Sequence, residues 1–442
     1  MVGRKGPWLV LGVAMLVVAM ALPVASAQHG SSGPPEARNM PLPANSIQAS
    51  LNHAPPGSTI RLGAGTFVGQ FVINSSATIV GAGIGNTVIQ SPAVLQPDYL
   101  GADHVVEIGN HAHVKIKGVT LETSLQCVAA PYSDGGVVGV GGSAVFTLVD
   151  SLVTTFGPTA AVGSACTVAG LPGLEIIGDG VDVGFNSAPL ALGTAPWQLH
   201  GSAMLDHDYF EGFGDASNGP AVSVGDSSGS GSSAIFTHDV VAAPAASLPF
   251  FMPDSFHPEV LVTDGATASV VHSTILGGSG TFFGLFLDGS GPTLVKNNVI
   301  GNITCEGFPP ALKGGFCGPN ILVNLQYSGI LVLGAQPGTV ISHNLIFDTD
   351  SGIYLYFATG SCSVHSNVIE DSLQYAFEVQ DTVVALSGNS ILGAPYQVGV
   401  GADVLNSSAT LIHTVVIGIS IGPAFTVAGT GLTATATFVH PE

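Results

Sequence analysis

The sequence predicts an all-β protein, a parallel β-helix built as one solenoid, and three observations carry this reading. The segments Ser342-His343-Asn344-Leu345-Ile346, His365-Ser366-Asn367-Val368-Ile369 and Ser387-Gly388-Asn389-Ser390-Ile391 echo one another, so Asn344, Asn367 and Asn389 recur at steps of 23 and 22 residues. A unit of that length cannot bury its apolar face alone and must stack on copies of itself. Each repeat also holds short runs of Val, Ile, Leu, Phe and Tyr broken by Gly, Asn, Asp and Ser, which is strand chemistry punctuated by turns. No amphipathic helical pattern interrupts the repeats. Coils of about 22–25 residues then place like positions about 4.8 Å apart.

Taken in order, residues 1–27 carry the marks of a secretory signal peptide. Arg4 and Lys5 form a basic start, residues 8–24 are an apolar run, and Ala25-Ser26-Ala27 is a small-residue cleavage site. An uncleaved anchor is the alternative, because a run of about 17 residues is at the short end for a span. Pro23 and the Ala-Ser-Ala site favour cleavage, so the expected location is secreted, extracellular or on the cell surface, with no membrane insertion afterwards. Residues 28–44 are rich in Pro and Gly and read as a flexible leader.

The solenoid domain is expected over 45–442. Its cap spans 45–85, with Ser46 capping a short helix that carries Ile47 and Leu51 and stops at Pro55-Pro56-Gly57. Strands follow at 59–62 and 71–73. A helix at this end covers sheet edges that would otherwise pair with another chain. Coils fill 86–425, aligned through the turn column Gly118, Ser151, Asp179, Asp208, Asp239, Ser273, Asn298, Asn344, Asn367, Asn389 and Thr414, which makes about eleven. Asn suits such a turn because it tolerates the left-handed backbone, and stacked amides can bond from coil to coil. Asn298, Asn344, Asn367 and Asn389 are therefore the expected structural ladder. The long step between Asn298 and Asn344 takes in a Pro/Gly-rich insertion, CEGFPPALKGGFC. Residues 226–233 form a loop rather than a linker, and 426–442 form a closing segment.

On these residues, the ladder of turn asparagines and the helix-and-strand block at 45–85, the chain resembles the right-handed parallel β-helix of the pectin-lyase-like superfamily. The resemblance covers most of the chain beyond residue 27. It implies right-handed coils, a shallow groove along one sheet and an extracellular carbohydrate polymer as partner. It extends to no single enzyme family. The basic residue that pectate lyases use beside their calcium carboxylates has no motif here among Lys115, Lys117, Lys296 and Lys313. The polygalacturonase signatures are absent, and Gln380-Asp381-Thr382 echoes pectin methylesterases without their accompanying blocks.

Charge narrows the partners. Only 8 Lys and Arg stand against 29 Asp and Glu, for a formal net charge of −21. Nucleic acid and anionic membranes need clusters of Lys and Arg and are excluded on this ground. A polyanionic sugar would need divalent cations to bridge it. Of five cysteines, Cys305 and Cys317 bracket the insertion and are expected to pair, Cys127 and Cys166 are the next pair, and Cys362 is expected as a buried core thiol.

Two constellations can carry chemistry. One position before the turn column lie His207, His238, His272, Asn297, His343 and His413. Imidazoles stacked at coil spacing, with Asp206, Asp208 and Asp239 beside them, can bind a transition metal, or can simply be a polar turn ladder. Four positions after the column lie Asn302, Asp348 and Asp371, with Asp350 and Glu370 close by. Carboxylates that meet there can act as a glycosidic acid and base, hold Ca2+, or form a solvated edge. Tyr354, Tyr356 and Tyr375 are the expected sugar-stacking surface. The function expected is binding or hydrolysis or lysis of extracellular polysaccharide. The alternatives are a non-catalytic, adhesin-like surface scaffold and a metal-binding β-helix.

Overall fold

A computed structural model describes residues 44–91, 104–109, 111–124, 126–129, 136–156, 174–177, 179–183, 201–211, 220–225, 231–242, 258–278, 281–304, 327–334, 337–358, 362–393, 400–405, 407–417, 425–428 and 432–439. The expected signal peptide, the insertion and residues 28–43 of the expected leader lie outside these residues, while Ala44, read as the end of the leader, opens a helix. Cys166, Cys305 and Cys317 and the side chain of Cys127 also lie outside them. Among the described residues, no helix is long and apolar enough to cross a membrane.

The described chain winds as a parallel β-helix. Most coils supply a first, a second and a third strand, as in Val340–Ser342, Leu345–Thr349 and Ser351–Tyr356. Third strands stack into a 12-stranded sheet, while first and second strands together form a 24-stranded one. Among the described residues there are twelve third strands, in keeping with the roughly eleven coils expected. The final strand, Leu432–Val439, pairs in parallel with Ser408–Ile417. One short antiparallel pair, Gln126–Ala129 with Leu174–Ile177, stands apart from the coils.

The core follows from strand alternation, because side chains two apart on a strand share a face. First strands stack Leu205, Phe236, Val270, Val295 and Ile341 in one inward column, and second strands stack Phe210, Val241, Ile275, Ile300 and Ile346 in another. All ten are buried. Cys362 joins the core, 5% exposed, and burial pushes its thiol up to about 12. Thiols so shifted are poor nucleophiles. Cys362 is expected to resist alkylation in the native chain and to react promptly in denaturant, as mass spectrometry of its peptide would read; prompt native labelling would contradict the burial.

The N-terminal helix spans Ala44–His53, three residues earlier than a cap at Ser46 allows. It buries Ile47 and Leu51. Gln48 shows how it covers the open edge: its Oε1 accepts from Val72 N–H and its Nε2 donates to Val72 C=O, both at 3.0 Å. A side-chain amide thus imitates the strand that the first coil lacks. That coil runs through Ser58–Arg61, Gly65–Val68 and Phe71–Ile73, within the block where cap, helix and first strands were expected.

The corner between first and second strands is a two-residue turn. Its first residue is left-handed: φ is 59° at His207, 57° at Asn297, 58° at Ser366 and 62° at Gly388. Its second residue turns inward and forms the ladder. The Asn344 Oδ1 accepts from both the backbone N–H and the Nδ2 of Asn298, Asn367 does the same for Asn344, and Asn389 for Asn367, at 2.9–3.1 Å. All four asparagines are buried. The expected ladder is therefore present. It continues downward with other acceptors: Ser273 N–H donates to Asn298 Oδ1, Asp239 N–H to Ser273 Oγ, Asp208 N–H to Asp239 Oδ1, and Ser151 N–H to Asp208 Oδ1.

Two members of the expected column are displaced. Gly118 is the left-handed residue (φ 65°), and the ladder position beside it is Val119, whose N–H faces Ser151 Oγ. Asp179 lies in a third strand, Asp179–Val183. The ladder passes directly from Ser151 to Asp208, 57 residues on. A single coil absorbs that whole step, so period alone inserted a turn that does not exist.

Candidate functional site

The histidine column stands as spacing predicted. His207, His238 and His272 occupy the left-handed corner on three successive coils, with φ of 59°, 61° and 56°. Their rings stack, with centroids 4.7 Å apart at 22° between the first two and 5.3 Å apart at 8° between the second and third. His207 Nδ1 contacts Asp206 Oδ1 at 2.8 Å. Asn297 continues the column, its Nδ2 3.4 Å from His272 Nε2. His343 instead meets His365 edge-on at 5.6 Å. Beneath the stack, Asp208 and Asp239 belong to the buried ladder, where burial pushes them up to about 8 and about 7 against the backbone N–H groups that hold their charge.

Asp348 and Asp371 form the second corner, between second and third strands. They flank the register partners Phe347 and Glu370 and so meet across one coil. Both are left-handed, with φ of 48° and 53°, as is Asn302 at 59°. The backbone there demands Asn, Asp or Gly, which accounts for the residue type before any chemistry is invoked. Burial, and then the charge of Asp371, raises Asp348, and the same two causes raise Glu370. Asp350 is buried at the start of the third strand, where its carbonyl accepts from Gln374 and Tyr375 N–H. Tyr375 is thus brought to this corner, but Tyr354 and Tyr356 are not.

Those two tyrosines belong to a different group. Third strands point Ile353, Leu355, Phe377 and Val379 into the core, so Tyr354, Glu378 and Asp403, register partners on three successive coils, share the opposite side. Tyr354 donates its hydroxyl hydrogen to Gln380 Oε1 at 3.0 Å, and its ring lies 6.0 Å from that of Tyr356. Glu378 is 2% exposed and Asp403 9%. Burial, and then the neighbouring Asp403, pushes the Glu378 carboxyl up to about 8. Its Oε2 has no hydrogen-bond partner among the described residues. Burial and Glu378 likewise raise the Tyr354 phenol.

This arrangement sets a carboxyl that burial biases toward its protonated form one coil from a second carboxyl group, beside the buried ring of Tyr354. Such a pair can donate a proton to a leaving oxygen while its neighbour receives one or attacks. Sequence reasoning missed Glu378 and Asp403. The signal was the acid inside Tyr375-Ala376-Phe377-Glu378-Val379-Gln380, an ionisable residue in an otherwise apolar strand run.

Residues 258–417 match the family model described as a right-handed β-helix region. No curated protein sequence matches the chain. Among solved structures, the PL6 family polysaccharide lyase Pedsa3628 from Pseudopedobacter saltans superposes with a TM-score of 0.54 at 10% identity, covering 91% of each chain. PfbA, a surface adhesin of Streptococcus pneumoniae, gives 0.43 at 11% identity, covering 86% of this chain and 87% of that one. A mannuronan C-5 epimerase A-module from Azotobacter vinelandii gives 0.39 at 12% identity, covering 89% and 95%. At these identities the likeness is one of fold. By that likeness, and by the match over 258–417, the chain has the fold of a right-handed parallel β-helix.

Proposed function

We propose that the chain binds and cleaves an extended extracellular polysaccharide along its sheet of third strands, by hydrolysis, with Glu378 as the general acid and Asp403 as the partnering carboxyl group. The observation that carries this reading is the Glu378–Asp403 pair itself: two carboxyl groups at coil spacing, one of them pushed up to about 8, beside Tyr354 and Tyr356. Protonated Glu378 would donate to the glycosidic oxygen while Asp403 serves as base or nucleophile. Spacing at one coil, about 5 Å, matches the shorter carboxyl separation of retaining glycosidases. The partly exposed ring of Tyr356 suits a sugar ring, and the net charge of −21 favours a neutral polymer. The fold is one that a polysaccharide lyase also has.

The test is a panel of neutral and acidic polysaccharides offered to the purified chain, with reducing-end release as readout. Glu378→Gln and Asp403→Asn are each expected to lower turnover by at least about a hundred-fold with the fold retained. Activity should fall as pH rises through about 8, where Glu378 loses its proton. Unchanged turnover in both variants would remove the pair from the chemistry. A second reading, a non-catalytic adhesin-like surface protein, is favoured by the slight exposure of Glu378. It predicts polysaccharide binding without release from any member of the panel.

A further inference from the structure

We propose that Asp206, His207 and His238 form a binding site for one late first-row transition-metal dication, separate from the carboxyl pair on the sheet of third strands. Their donor atoms all lie within 4.8 Å of one another. Two are already in contact, His207 Nδ1 with Asp206 Oδ1 at 2.8 Å, and the stacked ring of His238 brings the third. Two imidazole nitrogens and one carboxylate oxygen are the donor set that zinc, nickel and copper(II) prefer, whereas calcium and magnesium take oxygen ligands. The remaining coordination positions would be water, since His207 is 58% exposed and Asp206 30%. His272 is outside the set, with its Nε2 beside Asn297.

The backbone does not by itself explain these histidines. Other coils meet the same left-handed corner with Gly118, Asn297, Ser366 and Gly388, residues that reach it with less steric cost or with local bonding of their own. Imidazole adds a ring and a nitrogen ligand to a position whose geometry needs neither. The corner is also held rigidly. Asp206 N–H is tied to Asp208 Oδ2, Thr237 N–H to Asp239 Oδ2, and Asp208 N–H to Asp239 Oδ1, at 2.9–3.0 Å. The donors thus project from two turns that the buried ladder locks at coil spacing. An ion with metal–nitrogen distances of about 2.0–2.1 Å requires donors closer than 4.8 Å, which rotation of the exposed rings about their side-chain bonds supplies.

Calorimetric titration of the untagged, chelator-stripped full chain with zinc chloride, and separately with nickel chloride, tests this. One ion per chain is expected, with a rise in thermal midpoint when the ion is present. The double variant His207→Asn and His238→Asn suits the left-handed corner, as Asn297 does, and should fold while binding the ion at least about ten-fold more weakly. His343→Asn on the same column should bind as the parent does. Copper(II) loaded into the unaltered chain should show two coupled nitrogens by electron paramagnetic resonance, a readout that needs no variant. Absence of ion uptake, undiminished binding in the double variant, equal loss in His343→Asn, or a copper spectrum without nitrogen coupling would each overturn the site. None of these outcomes bears on the carboxyl pair.

Discussion

Replacing Asn367 with leucine is expected to destabilise the protein by roughly 3–6 kcal/mol, the sum over about three buried polar groups left without partners at 1–3 kcal/mol each, less the apolar gain. The Asn367 Oδ1 serves both the N–H and the Nδ2 of Asn344, and its Nδ2 serves Ile341 C=O and Asn389 Oδ1. Leucine serves none of them, and the residue is fully buried, so water cannot substitute. Backbone bonding from the Asn367 N–H to Asn389 Oδ1 survives, which sets the upper limit. Asn367→Asp should cost less, because a carboxyl still accepts from Asn344 while losing donation to Ile341. Denaturant or thermal unfolding monitored by circular dichroism reads the difference, about 5 °C or more in Tm for leucine. A change near zero would mean that the ladder is ornamental.

Between about pH 5 and pH 8 the protein is expected to lose stability relative to its Glu378→Gln variant, by a few kcal/mol. The sign follows from proton binding. Glu378 is raised from 4.5 to about 8 in the folded chain, chiefly by burial and then by Asp403. Below the unfolded value both states hold the proton, and the native state bears no buried charge. As pH rises past 4.5 the unfolded state releases its proton while the folded state keeps it, so stability falls until the folded group also ionises near 8. At about 1.36 kcal/mol per unit the full shift amounts to a loss of order 3–5 kcal/mol. Glutamine has no proton to lose, so urea midpoints of the two proteins should converge at low pH and diverge as pH rises. Parallel curves would show that Glu378 is ionised in the native state at neutral pH.

The ladder and the histidine column were legible in the sequence because each residue there answers a local demand. A left-handed corner admits Asn, Gly, Ser or His without requiring any one of them, and a buried amide that must both give and accept hydrogen bonds selects Asn. Such demands write themselves at a fixed interval, so Asn344, Asn367 and Asn389 could be read without a structure. The pairing of Asp348 with Asp371 was readable for the same reason, since both are left-handed corner residues one coil apart.

What the sequence by itself determined is thus the winding: a parallel β-helix, its period, its ladder and the residues that turn its corners. Tertiary structure alone decided register across long excursions and which side chains share a face. Asp179 has the residue type of a ladder member, yet lies on a third strand because the chain from Ser151 to Asp208 closes only one coil. Glu378 and Asp403 have no common motif. They meet because alternation sends Phe377 and Val379 inward and because the preceding coils set the two strands in register. Local backbone chemistry repeats along the chain and can be counted, whereas the burial that raises Glu378 depends on neighbours supplied by other coils, which no interval in the sequence records.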